Sequence, residues 1–236
     1  MPTNIAGQPD HSPKLEAFTE SQITARGPSC CWDYTDICAF LICVVMFGSF
    51  LQLAIPFHVL SPLALQQPTA LLQGVVLVWV LLALYATLKF RHGGAVWKAL
   101  GWALPSRRYL LAAPLGGILW AGVVILVVRS TSIASTPPTA WKLLALAATL
   151  GPVVEESFFR GCLLPLIART SGSPAAVILT AIVFAFFHQP PTLLHCACFA
   201  VSGILYGWVR VVSGSTTAAA LMHSVYNLTL FACQRM

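Results

Sequence analysis

Acidic residues are almost absent from most of this chain. After residue 36 there are only two, Glu155 and Glu156, side by side; Asp10, Glu16, Glu20, Asp33 and Asp36 all precede them. Charged residues make up 8% of the 236 positions and hydrophobic residues 58%, against roughly 25% charged in an ordinary soluble domain. That scarcity excludes a soluble globular protein and points to a polytopic membrane protein. The basic excess, Lys+Arg 13 against Asp+Glu 7, then reads as topology information. No nucleic-acid-binding motif accompanies it, so no nucleic-acid partner is expected. There is no Cys-x-x-Cys pair among the eight cysteines, and Cys196-x-Cys198 lacks a second half, which argues against a zinc ribbon or a redox dithiol. The cysteines inside apolar segments read as small apolar residues. His-Glu-x-x-His is also missing, and with it the usual signature of a zinc peptidase helix. Residues 1–36 contain no apolar core of the secretory kind. They read as a disordered cytosolic tail.

What the chain has in quantity is long apolar sequence. Seven segments stand out, at about 37–58, 69–89, 109–128, 143–168, 174–189, 192–209 and 216–234. A spanning segment of about 20 residues crosses the ~30 Å hydrocarbon core. It must satisfy its own backbone polar groups there, so each is expected to be a helix. The expected fold is all-α: a polytopic helical bundle of about seven spans. Residues 37–128 would supply three helices and 140–236 four more, with the proline-rich stretch 131–139 between them. Lys89, Arg91, Lys98, Arg107 and Arg108 crowd the connector 89–108, which holds no acid. By the positive-inside rule this places the connector, and hence the N-terminus, on the cytosolic side. Residues 95–104 could form a short interfacial helix.

The polar residues of the last four segments form a set. A carboxylate at bilayer depth is costly and is a functional candidate by default. Glu156 and Arg160 are four apart and share a helix face. A neutralised bridge is the plainer reading of that pair, and direct chemistry for Glu156 the sharper one. Glu155 points about 100° away, without a local cation, towards a partner helix or a water pocket. There it would suit a general base or acid. Pro152 is expected to kink this span. His223 and Asn227 are again four apart. Both can donate hydrogen bonds, as a developing oxyanion requires; an ordinary helix–helix hydrogen bond is the alternative for either alone. His188 ends its helix just before Gln189-Pro190-Pro191. His195 reads as interfacial.

Three motifs in order carry a resemblance. They are Glu-Glu-x-x-x-Arg at Glu155, Glu156 and Arg160, Phe-x-x-x-His at Phe184 and His188, and His-x-x-x-Asn at His223 and Asn227. Together, on successive helices, they resemble the CPBP family of CAAX proteases and bacteriocin-processing enzymes, over roughly residues 95–231. The resemblance implies an intramembrane endopeptidase with a four-helix catalytic core, here residues 140–236, to which the three helices of 37–128 would be accessory. In it Glu155, with His188, would activate a water, and His223 with Asn227 would form the oxyanion hole. Glu156 and Arg160 would support the geometry, with Glu156 a possible second catalytic carboxylate, and Phe184 would pack beside the site. The spacing favours a glutamate-type hydrolase without cofactor, and zinc is disfavoured. The expected substrate is a membrane protein or a lipidated or C-terminally tagged peptide, and the expected location is a bacterial plasma membrane. A non-catalytic scaffold of the same fold and a proton-coupled transporter are the competing readings; no internal repeat of the transporter kind is evident.

Overall fold

A computed structural model describes residues 33–54, 70–128 and 148–233. The chain folds as α1 Tyr34–Ala54, α2 Ala70–His92, the single turn α3 Val96–Ala99, α4 Arg107–Val128, α5 Leu150–Phe158, a π-helical turn Phe159–Leu163, α6 Leu164–Phe187, α7 Leu193–Ser213 and α8 Thr216–Cys233. Among the described residues there is no strand, as the all-α expectation requires. Four stretches are long and apolar enough to cross a membrane: Gly74–Arg91, Arg107–Val128, Leu150–Phe187 and Leu193–Ser213. Outward-facing Leu111, Leu119, Leu126, Ile178 and Phe186 leave an apolar surface far larger than water tolerates. The chain is an integral membrane protein built as a helical bundle.

The stretch Leu150–Phe187 has 38 residues, about 57 Å of helix, nearly twice what a bilayer core needs. It is two helices. Gly172 breaks it with φ 75° and ψ 162°, and Pro174 follows. That backbone conformation is open to glycine and costly for any other residue. The break falls between the fourth and fifth apolar segments of the sequence. Pro152 does not kink a span. It lies in the first turn of α5, where its missing N–H has no intrahelical partner to lose; the helix starts around it.

At the other end of the chain, α1 begins at Tyr34, so residues 34–36 form its first turn rather than the end of a tail. Residues 1–32 and the linker 131–139 lie outside the described residues. Asp33 and Asp36 cap α1 reciprocally. The Asp36 N–H donates to Asp33 Oδ1 at 2.9 Å, and the Asp33 N–H donates to Asp36 Oδ2 at 2.9 Å, a capping box built from two aspartates. Arg91 of α2 pairs with Asp36 and ties the two helices together.

Small residues set the packing around the site. On α7, Gly203 and Gly207 lie four apart against Ala181 and Val177 of α6. A Cβ at Gly203 would stand 2.8 Å from the Ala181 Cα, so the two backbones touch only because the side chain is absent. Gly117 does the same for α4 against the Met222 carbonyl of α8. The interfacial helix expected over 95–104 is shorter in fact, only Val96–Ala99. Its exit is clasped to the start of α8, where Thr216 Oγ1 donates to the Leu100 carbonyl at 2.6 Å and the Thr216 N–H to the Gly101 carbonyl at 2.9 Å.

Candidate active site

Helices α2, α5, α6, α7 and α8 enclose a cavity of about 320 Å³. Glu155, His188, His223 and Asn227 line it, together with Phe184 and the apolar residues Leu77, Phe199, Leu230 and Phe231. Residues far apart in sequence and singled out for their polarity thus share one space. His195 does not join them. It lies in the first turn of α7, which Thr192 caps: Thr192 Oγ1 accepts from the His195 N–H at 3.3 Å and lies 2.7 Å from His195 Nδ1.

The Glu155 carboxylate is the meeting point. Its Oε2 lies 3.7 Å from His188 Nε2 and 4.0 Å from His223 Nε2. No direct hydrogen bond reaches this oxygen among the described residues. The other ring nitrogens fix the tautomers. His188 Nδ1 is 2.8 Å from the Phe184 carbonyl, which can only accept, so Nδ1 carries the proton. His223 Nδ1 is 2.9 Å from Glu156 Oε1, again an acceptor. Each imidazole therefore turns its Nε2 towards Glu155. Two bases and one carboxylate facing each other across 3.7–4.0 Å form a place for a proton or a proton-bearing molecule between them.

Aromatic rings hold both imidazoles. His188 stacks on Phe199, with centroids 4.3 Å apart, and leans on Phe184 at 4.4 Å. His223 stacks on Tyr206 at 4.6 Å and meets the edge of Phe184 at 5.9 Å. Phe184 separates the two histidines and packs against both.

Behind His223 lies a closed ionic network. Glu156 and Arg160 are both fully buried. Arg160 Nη1 and Nε lie 3.2 and 3.1 Å from the two Glu156 oxygens, and Arg160 Nη2 donates to the Gly203 carbonyl at 2.9 Å. The guanidinium lies 4.7 Å from the Phe184 ring centre, 5.5 Å from that of Tyr206 and 5.6 Å from that of Phe159, within cation–π range. Arg160 sits in the π-helical turn, a local widening that is frequent at functional sites. Glu156 is not among the cavity-lining residues. It touches the site only through His223 Nδ1.

No group of three His, Cys, Asp or Glu side chains among the described residues is set to hold a metal ion. Sequence reasoning missed Leu77, Phe199, Ser202, Tyr206 and Tyr226. Phe199, Ser202 and Tyr206 do share a helix face, at spacings of three and four, but such spacing describes any packed helix. The expected oxyanion pair needs refinement as well: the His223 Nδ1 proton is spent on Glu156, so donation into the cavity requires a second proton, on Nε2.

Residues 137–229 fit the family model of the type II CAAX prenyl endopeptidase Rce1-like proteins, and the match contains all three motifs. No curated protein and no solved structure matches the chain.

Proposed function

With a type II CAAX prenyl endopeptidase domain of the CPBP family over residues 137–229 as the premise, we propose that the chain is a metal-independent intramembrane peptidase in which Glu155 activates water. The observation that carries this reading is the convergence of His188 Nε2 and His223 Nε2 on one Glu155 oxygen inside a mostly apolar cavity.

The chemistry follows from the donors and acceptors. A water held between Glu155 and His188 gives a proton to the carboxylate as its oxygen attacks a peptide carbonyl. The C=O π bond becomes an oxyanion. Asn227, on the cavity wall, offers an amide N–H to that oxygen. His223 offers a second donor once Nε2 is protonated, and its contact with Glu156 through Nδ1 keeps Nε2 turned to the cavity. The proton taken from water then passes to the departing amine as the C–N bond breaks, leaving a carboxylic acid and an amine. Glu156 and Arg160 act by orienting His223. Preorganised donors of this kind typically contribute 10²–10³-fold each.

The proposed substrate is a peptide of a membrane protein or lipidated protein, cut near its C-terminus, reached from the cytosolic face if the basic connector 89–108 lies there. A test uses purified protein in detergent or nanodiscs and a quenched fluorescent peptide ending in a farnesylated Cys-aliphatic-aliphatic-Met sequence. Mass spectrometry should find one cut after the farnesylated cysteine. An intact peptide, together with intact unprenylated and internally tagged membrane peptides, would remove the peptidase reading.

A further inference from the structure

The cavity has a second polar region that the reacting groups do not use. Ser202 and Tyr206 line it from α7, Tyr226 lines it from α8, and Trp120 of α4 stands behind Ser202. Their hydrogen bonds can be counted. A serine hydroxyl has one proton and two lone pairs. The Ser202 proton goes to the Cys198 carbonyl at 2.9 Å. One lone pair accepts the Trp120 Nε1–H at 2.8 Å. The Tyr226 and Tyr206 hydroxyls both approach the same side chain, and a single lone pair is left for the two. Tyr206 is wholly buried, and its hydroxyl makes no well-aligned hydrogen bond among the described residues. A buried hydroxyl in that position is costly unless a partner arrives.

We propose that Tyr206 is a substrate-binding residue whose hydroxyl donates a hydrogen bond to a carbonyl oxygen of the bound peptide. The proposal rests on the peptidase reading of the same cavity. A neutral carbonyl suits the site better than a carboxylate, because Glu155 lines the same cavity and would repel a second anion. A peptide presents such a carbonyl at every residue. The Tyr206 ring lies flat on His223, 18° from parallel. A carbonyl gripped by its hydroxyl is therefore held at a fixed register relative to the imidazole that faces Glu155. Among the hydroxyls that line the cavity, that of Tyr206 is the one left without an aligned partner, so it is the donor that binding completes.

The substitution that isolates this bond is Tyr206→Phe. It removes one oxygen and keeps the ring on His223, so the melting temperature should stay within a degree or two of the parent. Binding is read on the Glu155→Gln background, which keeps the cavity and stops turnover, using fluorescence anisotropy of the labelled farnesylated peptide. Adding Tyr206→Phe to Glu155→Gln should weaken binding roughly fivefold to tenfold, the range for loss of one hydrogen bond. In the otherwise unchanged protein, Tyr206→Phe should raise KM by the same factor and leave kcat nearly as it was. Equal binding with and without the hydroxyl overturns the inference, as does a loss confined to kcat. If the parent binds the peptide but never cuts it, the peptidase reading fails while the role of Tyr206 is still decided by the binding series. If Glu155→Gln binds no peptide at all, both fall.

Discussion

Glu155 and Glu156 are neighbours in the chain, yet the regions they face are opposites. On the Glu156 side every charge has a counter-charge: two nitrogens of Arg160, one of His223, then the Gly203 carbonyl and three aromatic rings, all fully or nearly fully buried. On the Glu155 side the nearest partners stop at 3.7 and 4.0 Å, and the walls are mostly aromatic. One region has its charges paired as folded. The other is left short of the contacts that a buried carboxylate demands. The contrast teaches a division of labour: the closed network fixes where His223 points, and the open side leaves the Glu155 carboxylate on the cavity wall.

The sharpest way to break that comparison is Glu155→Gln. The amide keeps the shape and removes the base, so cleavage of the farnesylated peptide should fall by about 10²–10⁴-fold, the usual worth of a general base. The melting temperature should hardly move. Undiminished cleavage would take Glu155 out of the reaction. In the same assay 1,10-phenanthroline or EDTA should leave the parent rate unchanged; abolition by the chelator and recovery with zinc would replace the water-activating carboxylate by a metal centre.

Next comes the closed side. Arg160→Met strands the Glu156 carboxylate, and breaking a buried pair by removing one partner costs about 3–5 kcal/mol. A thermal melt in detergent should show that loss, with activity falling only because folded protein is lost and His223 swings. Should Arg160→Met keep its melting temperature and lose activity, the network would belong to the chemistry rather than to the scaffold. Gly203→Ala tests the same region more gently. The added methyl meets the Ala181 Cα at 2.8 Å, and overpacking of this kind costs about 1–3 kcal/mol. It also displaces the carbonyl that accepts from Arg160, so it should lower both the melting temperature and turnover, each by less than Arg160→Met does.

The two sides were not equally legible in the sequence. Glu155, His188, His223 and Asn227 stood out because a polar side chain in an apolar helix is expensive and therefore rare; their spacing placed each on a helix, and the cavity gathers them. The Glu156–Arg160 bridge followed from a separation of four. The two helices on either side of Gly172 were marked as separate apolar runs, 143–168 and 174–189, although the residue that divides them was not. Tyr206, Phe199 and Leu77 were hidden. An aromatic or leucine at helical spacing is ordinary packing, and only the tertiary fold shows which face meets the cavity. Pro152 misled for the same reason, since a proline kinks a span or begins one according to where the helix starts. The π-helical turn at Arg160 leaves no mark on an apolar pattern that lacks a polar face to be shifted.

The smallest effect lies farthest from the site, at the start of α1, and it tests whether the two helices joined by Arg91 depend on charge as the core does. Asp33 is held below the usual carboxylate range, chiefly by the Thr35 hydroxyl at 2.6 Å and next by the Asp36 N–H, with the Arg91 guanidinium adding to them. A carboxyl whose pKa is depressed by folding stabilises the fold fully above its unfolded value, near 3.9, and loses that contribution as the pH falls through the lower folded value. From neutral pH down to about pH 5 the α1 cap should therefore not respond. Below about pH 4, hydrogen exchange at the first turn of α1 should rise before exchange at α5 or α8 changes. Asp33→Asn removes the titration and should flatten that early phase. Exchange at α5 that rises together with α1 would mean that the capped end and the ionic core unfold as one unit, and the separation between a solvent-facing clamp and a buried one would collapse.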